Sequence, residues 1–226
     1  SNQKFKDAKT KILMPKVELR EGDEFVVNDL YDYFSKNLDG ISKKDISRAY
    51  YKAKDDLQSF RTSLNDLYTE ALGTIERSGR EAIIVVGRPY NVNDKGMNLN
   101  IASKLRDLYG VNVIPMDLVE VLNDNIEDIH YNMFWGYGRK ILSTLKQMKR
   151  SKNLHVIYIT NFQCGPDSYI KHFAPAALGK SYLTLQFDGH GNDAGMLTRC
   201  EAYLDSKGVF KKQKNKLNNV VEELRV

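Results

Sequence analysis

Glu81-Ala-Ile-Ile-Val-Val86 is a run rich in β-branched side chains, apolar without a break after Glu81. A strand with one wet face alternates apolar and polar residues, whereas a short run without alternation reads as a strand covered on both faces. Working outward, strand and helix patterns alternate from here to residue 206. A turn region over 87–96 precedes a helical pattern at 98–109 that closes on Gly110. Val111-Asn-Val-Ile114 reads as a second strand, 116–122 as a helix or loop, and 133–148 as a helix. Leu154-His-Val-Ile-Tyr-Ile-Thr160 is another apolar strand. After it come a helix at 168–178 closed by Gly179, a strand at 181–187, and a helix at 194–206 ended by Gly208. This order predicts an α/β, Rossmann-like, mostly parallel sheet flanked by helices, with right-handed crossovers.

Upstream, one helical pattern runs over Lys43–Ser78 with no proline. Ile46, Tyr50, Ala53, Leu57, Phe60, Leu64, Leu67 and Ala71 recur every three or four residues and form one apolar stripe. Such a stripe needs a covering surface, and core packing or docking to another part of the protein would supply it. Ser42 is placed to cap this helix. Before it, Lys11-Ile-Leu-Met-Pro15 and Glu24-Phe-Val-Val27 read as short strands, and 28–34 as a short helix or turn. The expected organisation is a mixed segment and long helix over 1–79, the α/β domain over 80–210, and a basic helix or tail over 211–226.

The chain has 226 residues, enough for one large or two small domains, and 42% are apolar. No window approaches the ~18 apolar residues of a membrane helix, so no membrane span is expected. Ser1-Asn2 reads as an expression scar, which predicts a fragment of a longer protein. The net charge of +5 gathers at 146–152 and 211–216. Without interleaved aromatic residues these runs read as wet faces rather than as a nucleic-acid surface. An acidic or CoA-bearing partner is compatible with them. Two cysteines, in neither a CxxC nor a Cys/His finger spacing, exclude a disulfide scaffold and a self-contained zinc site. A reduced, cytoplasmic setting is expected.

In an open parallel sheet the loops after the strands converge on one edge, where ligands bind. Those loops are Gly87-Arg-Pro-Tyr-Asn91, Pro115-Met-Asp117, Asn161-Phe-Gln-Cys-Gly-Pro-Asp-Ser168 and Asp188-Gly-His-Gly-Asn-Asp-Ala-Gly195. Cys164 stands at the carboxyl end of a strand. There it is either a soft ligand or nucleophile, or a small residue filling a tight turn. Arg88 sits beside Tyr90, a ring that can stack. Its planar fork suits phosphate or carboxylate, or pairs with a structural carboxylate such as Asp117. Asp193 is placed to cap the next helix, and Cys200, two turns into it, reads as a buried small residue or as a ligand facing the loop edge. His190 lies in the same loop, and His130 and His172 have no evident partner. The aromatic cluster Met133-Phe-Trp-Gly-Tyr-Gly-Arg139 reads as core or as a shield for a ligand. Neither a GxGxxG, a P-loop nor a GxSxG elbow is present.

Val86-Gly-Arg-Pro-Tyr-Asn91, Tyr137-Gly-Arg-Lys-Ile-Leu142, the Asn161-to-Ser168 run and Asp193-Ala-Gly-Met-Leu-Thr-Arg-Cys-Glu-Ala-Tyr203 occur in this order. Together they resemble one family, the CoA-substrate-specific enzyme activase-related proteins of the 2-hydroxyacyl-CoA dehydratase group. The resemblance covers residues 80 to 206 and is least clear over the first eighty. It implies dehydratase-like α/β domains that hold iron–sulfur clusters, 4Fe–4S or double-cubane, through cysteine thiolates. Cys164 corresponds to a cluster cysteine and Cys200 to a second one. Implied partners are the remainder of the parent chain, an ATPase activator domain or dehydratase subunit, and an acyl-CoA.

The expected function is therefore a fragment of an activase/dehydratase-like protein. It holds part of a low-potential cluster and supports ATP-driven electron transfer for 2-hydroxyacyl-CoA dehydration. Backbone amides near Gly165 and Asp167 would hydrogen-bond cluster sulfurs, and Arg88 would offset negative charge. Two cysteines fall short of the four ligands of a complete 4Fe–4S site, so the other ligands would come from elsewhere. The rival reading is a metal-free small-ligand or partner-docking module using the same edge.

Overall fold

β1 (Ala82–Gly87) is buried along its whole length, as an unbroken apolar run requires. The computed structural model describes residues 12–121, 124–188, 193–211 and 213. The chain divides into two compact units, Ser1–Ser63 and Leu64–Val226.

In the second unit, β1 joins β2 (Asn112–Pro115), β3 (Leu154–Asn161) and β4 (Leu183–Phe187) in a four-stranded sheet of order β2-β1-β3-β4. Every pairing is parallel. β1 matches β3 from Ala82↔Leu154 to Gly87↔Ile159, and β2 from Ala82↔Asn112 to Val85↔Pro115. β4 lies beside β3 from Leu183↔Ile157 to Phe187↔Asn161. This is the parallel α/β sheet that the alternating pattern predicts.

Alternate residues of β1 serve two cores, because successive side chains of a strand point to opposite faces. Ile84 and Val86 pack with Ile141, Leu142 and Leu145 of α5 (Gly136–Met148) and Leu178 of α7 (Ala174–Leu178). Tyr68 and Ile75 join the same core. Ile83 and Val85 pack with Ile101 and Leu105 of α4 (Ile101–Tyr109) and Leu204 of α8 (Ala194–Ser206). Each fully buried aliphatic side chain contributes about 2 kcal/mol by leaving water.

Two local expectations are corrected. The helix expected at 168–178 is two short ones, α6 (Gly165–Ile170) and α7, each with proline in its first turn. Proline has no N–H to donate and crowds the preceding turn, so Pro175 starts a new helix. The turn region after β1 contains a short helix, α3 (Pro89–Asn93), again opened by proline. Residues 116–119 form a turn, the loop alternative of the helix or loop expected there.

In the first unit, α1 (Asp23–Ser35) takes in both Glu24-Phe-Val-Val27 and the 28–34 segment, so no strand forms there. Gly22, at a φ of 93°, supplies the sharp entry, and Asp23 and Glu24 complement the positive helix start. Residues 12–15 carry no regular structure, and Lys11 lies outside the described residues. α2 (Lys43–Ser78) begins as expected. The Asp45 N–H donates to Ser42 Oγ at 3.2 Å while the Ser42 N–H reaches Asp45 Oδ2 at 3.4 Å, a reciprocal capping box. The stripe of α2 departs from the core-packing expectation. Only Tyr68 and Ile75 of this helix are buried, and Leu57, Phe60 and Leu67 remain 49%, 59% and 55% exposed.

Candidate functional site

The strand order sets the site. From β1 the chain moves outward to β2, then returns to lay β3 on the other side of β1. The loops after β1 and β3 therefore leave in opposite directions, and the crevice between them is where open α/β sheets place ligands. Arg88, Tyr90 and Asn91 follow β1, and Cys164, Gly165 and Asp167 follow β3.

Gly87 permits the close approach of these two strands. A Cβ there would lie 2.3 Å from the backbone oxygen of Ile159, inside any tolerable contact. The loop after β3 is bent by Gln163, whose φ of 64° is left-handed and costs a non-glycine residue about 1 kcal/mol. The turn is closed by the Cys164 N–H donating to the Asn161 carbonyl at 3.3 Å. It is tied to β4 by the Phe162 N–H donating to the Phe187 carbonyl at 2.7 Å. Cys164 then stands at the N-cap of α6 in an extended conformation, with its side chain half-buried. Gly165 follows with nothing within 4 Å of where a Cβ would be, so its backbone faces open space.

Asp167 is the hub and is fully buried. Arg88 Nε donates to its Oδ1 at 3.1 Å, and Thr160 Oγ1 and Asn91 Nδ2 donate to its Oδ2 at 3.1 and 3.4 Å. A buried carboxylate persists only when paired and hydrogen-bonded, and this one is both. Arg88 therefore pairs with Asp167, not with Asp117. Asp117 instead receives hydrogen bonds from Asn93 (2.9 Å), Lys140 (3.1 Å) and Tyr137. Burial raises the Asp117 carboxyl, but these donors outweigh it and hold the group below the usual carboxylate range. One Arg88 nitrogen, Nη2, is buried with no hydrogen-bond partner among the described residues.

Tyr90 links the two loops, its hydroxyl lying 3.6 Å from Cys164 Sγ. Burial, and then the contact with Cys164, push the Tyr90 hydroxyl up to about 12. The hydroxyl and the sulfur share this contact with either atom as donor.

The other expected site residues lie apart from this network. Cys200 is fully buried in the aliphatic core with Ile83, Val85 and Leu204, on the face of the sheet opposite Thr160. Burial pushes its thiol up to about 12, as for a sulfur with no cationic help. Asp193 is the N-cap residue of α8 by position, yet its carboxylate makes no cap hydrogen bond and pairs instead with Lys104. His130 has a partner after all, the Tyr169 hydroxyl at 2.7 Å, and its ring packs edge-on against Phe173. His172 is exposed, and His190 lies outside the described residues. Of the aromatic cluster, Met133 is buried, Trp135 and Tyr137 lie against the core, and Phe134 is 81% exposed. Thr160 was missed; the available signal was a hydroxyl residue ending an otherwise apolar strand at its carboxyl end.

The donor set decides what metal chemistry this chain can support by itself. A 4Fe–4S cluster takes about four thiolates. Here one sulfur reaches the loop edge and the other is enclosed in core. No group of three or more His, Cys, Asp or Glu side chains is gathered among the described residues. The residues present fit one corner of a cluster and not a whole one. A cleft of about 710 Å³ lies elsewhere in the second unit, lined by Leu67, Ala71, Ile75, Arg80, Arg106 and Val113 among others. Among the described residues no helix is long and apolar enough to cross a membrane.

Comparison with known proteins gives one match. The family model described as CoA enzyme activase uncharacterised domain (DUF2229) covers residues 1–119. That span takes in the first eighty residues, where the motif resemblance is least clear, and ends before Cys164. No curated protein and no solved structure matches the chain.

Proposed function

The chain belongs to the CoA enzyme activase uncharacterised domain family, and from that premise we propose that it is one part of an activase/dehydratase-like system. In this reading it contributes Cys164 as a single thiolate to a low-potential iron–sulfur cluster. The other sulfur ligands come from the remainder of the parent chain or from a dehydratase subunit. Bound there, such a cluster supplies one-electron chemistry, here ATP-driven electron delivery for 2-hydroxyacyl-CoA dehydration. Cys200 is a packing residue.

The observation that carries the reading is the position of Cys164 on the crevice between β1 and β3, with the Tyr90 hydroxyl 3.6 Å from its sulfur. The chain's own residues have distinct tasks. Asp167 fixes the Arg88 guanidinium, whose positive charge favours an anionic sulfur or acyl group at the edge. Tyr90 orients the sulfur. Gly165 leaves its backbone approachable, so that a bound group can come close.

The test is anaerobic reconstitution of the full-length parent protein with iron and sulfide, followed by iron quantitation and a visible spectrum. Cys164→Ser should lose the broad absorption near ~400 nm and most of its iron, and Cys200→Ser should keep both. Equal iron in wild type and Cys164→Ser would overturn the reading. It would favour the metal-free binding module at the same loop edge.

A further inference from the structure

We propose that Arg88 and Tyr158 form a subsite for a carboxylate group in the crevice beside Cys164. An arginine that serves only to pair with a buried carboxyl commonly meets it fork to fork, through two parallel N–H···O bonds. Asp167 gives Arg88 one oxygen only. Its Oδ1 accepts from Arg88 Nε at 3.1 Å, while its Oδ2 is held by Thr160 Oγ1 at 3.1 Å and Asn91 Nδ2 at 3.4 Å. Arg88 Nη2 is thereby left buried with no hydrogen-bond partner among the described residues. The Arg88 side chain is nevertheless 21% exposed, so a solute can reach it.

Tyr158 supplies a second, independent donor. It lies on β3 on the same face as Thr160, and Val86 of β1 is its register partner. Its side chain is fully buried, and its hydroxyl also has no hydrogen-bond partner among the described residues. Asp167, Cys164 and Arg88 are all near enough to act on that hydroxyl, so the polar end of the ring lies at the base of the crevice. Burial pushes the hydroxyl well up, Asp167 and Cys164 add to this, and Arg88 opposes it, so the group stays protonated. Unpaired buried polar groups are costly and rare, and two that gather at one place point to a shared acceptor. Arg88 Nη2 can only donate, so the acceptor is an oxygen group that Tyr158 also reaches. A carboxylate offers one oxygen to each donor and matches the planar guanidinium.

The subsite needs no iron, so its failure leaves the cluster reading standing. Sodium acetate titrated to about 100 mM into the iron-free full-length protein should raise the melting temperature in a saturable way, as for a ligand that only the folded chain binds. Sodium chloride at the same concentration should not. Tyr158→Phe should melt no lower than wild type without acetate, because it removes a hydroxyl that has no partner, and should weaken acetate binding about tenfold. Arg88→Lys keeps the charge, loses the fork and should abolish the response, with circular dichroism confirming that the variant folds. A wild type with no saturable rise, an equal rise in chloride, or an acetate response that Tyr158→Phe leaves unchanged overturns the proposal. So does a Tyr158→Phe variant that melts lower without acetate, the result expected if a fixed water already satisfies both groups.

Discussion

The Tyr90 hydroxyl stands 3.6 Å from the Cys164 sulfur, joining loops that are 74 residues apart in the chain. When the phenol is the donor, it steadies the negative charge that develops on the sulfur as it reacts. Tyr90→Phe keeps the ring and removes the donor. Iodoacetamide should modify Cys164 roughly three- to tenfold more slowly at neutral pH in this variant, the range expected when a charge-assisted hydrogen bond at a partly wet site is lost. An unchanged rate would show that the hydroxyl does not act on the sulfur.

Asp167 is fully buried, and three donors converge on its two oxygens. Asp167→Ala leaves the Arg88 guanidinium without its counter-charge, at a cost of about 3 kcal/mol, the lower part of the range for breaking buried pairs because Arg88 keeps some contact with water. Asp167→Asn retains the shape and part of the hydrogen bonding and should lose less. Urea unfolding should report both as lower midpoints at unchanged slope.

The two cysteines should separate chemically. A thiol reagent should consume one sulfur quickly in the native protein, Cys164, and the second only on unfolding. Cys200→Ala should cost about 1 kcal/mol, because it removes a small buried side chain. Cys200→Ser should cost more, about 2 kcal/mol, because a hydroxyl is buried among aliphatic side chains. Mass spectrometry of the labelled peptides and denaturant titrations would check both statements.

At the opposite end of β3, His155 is buried and its Nε2 lies 2.7 Å from Glu81 Oε2. Burial lowers its proton affinity below the usual 6.5, and Glu81 only partly offsets this. Above pH 6.5 both folded and unfolded chains hold the ring neutral, and its contribution to stability is complete. As pH falls below that, the unfolded chain takes up a proton that the folded one resists, and stability declines. The melting temperature should therefore fall between about pH 7 and 5, and His155→Gln should flatten that part of the profile.

The strands were legible because two unbroken β-branched runs, 81–86 and 154–160, leave a sheet buried on both faces as their reading. Cys164 was legible as an edge residue because it follows the second run. The partner of Arg88 was not, since Asp117 and Asp167 follow the two strands that flank β1, and only side-chain packing decides between them. Glu24-Phe-Val-Val27 read as a strand because four residues cannot distinguish a period of two from one of 3.6. The acidic start at Asp23 and Glu24, with Val26, Val27 and Leu30 behind it, was the deciding signal. Cys200 drew attention as a thiol, but the helix face it occupies is set by the tertiary packing of α8.

The strand order also bears on how the molecule folds. β1 is the central strand, and its longer pairing, six residues from Ala82 to Gly87, is with β3 rather than with its chain neighbour β2. Arg88 and Asp167 meet across 79 residues, so the crevice exists only once that distant pairing has closed. Closing it costs loop entropy before any contact repays it, which makes this a high-contact-order step. The segment 1–119 that defines the family holds β1 and β2 but stops short of β3. Released alone, that segment would expose one whole edge of its most apolar strand, the edge that β3 covers.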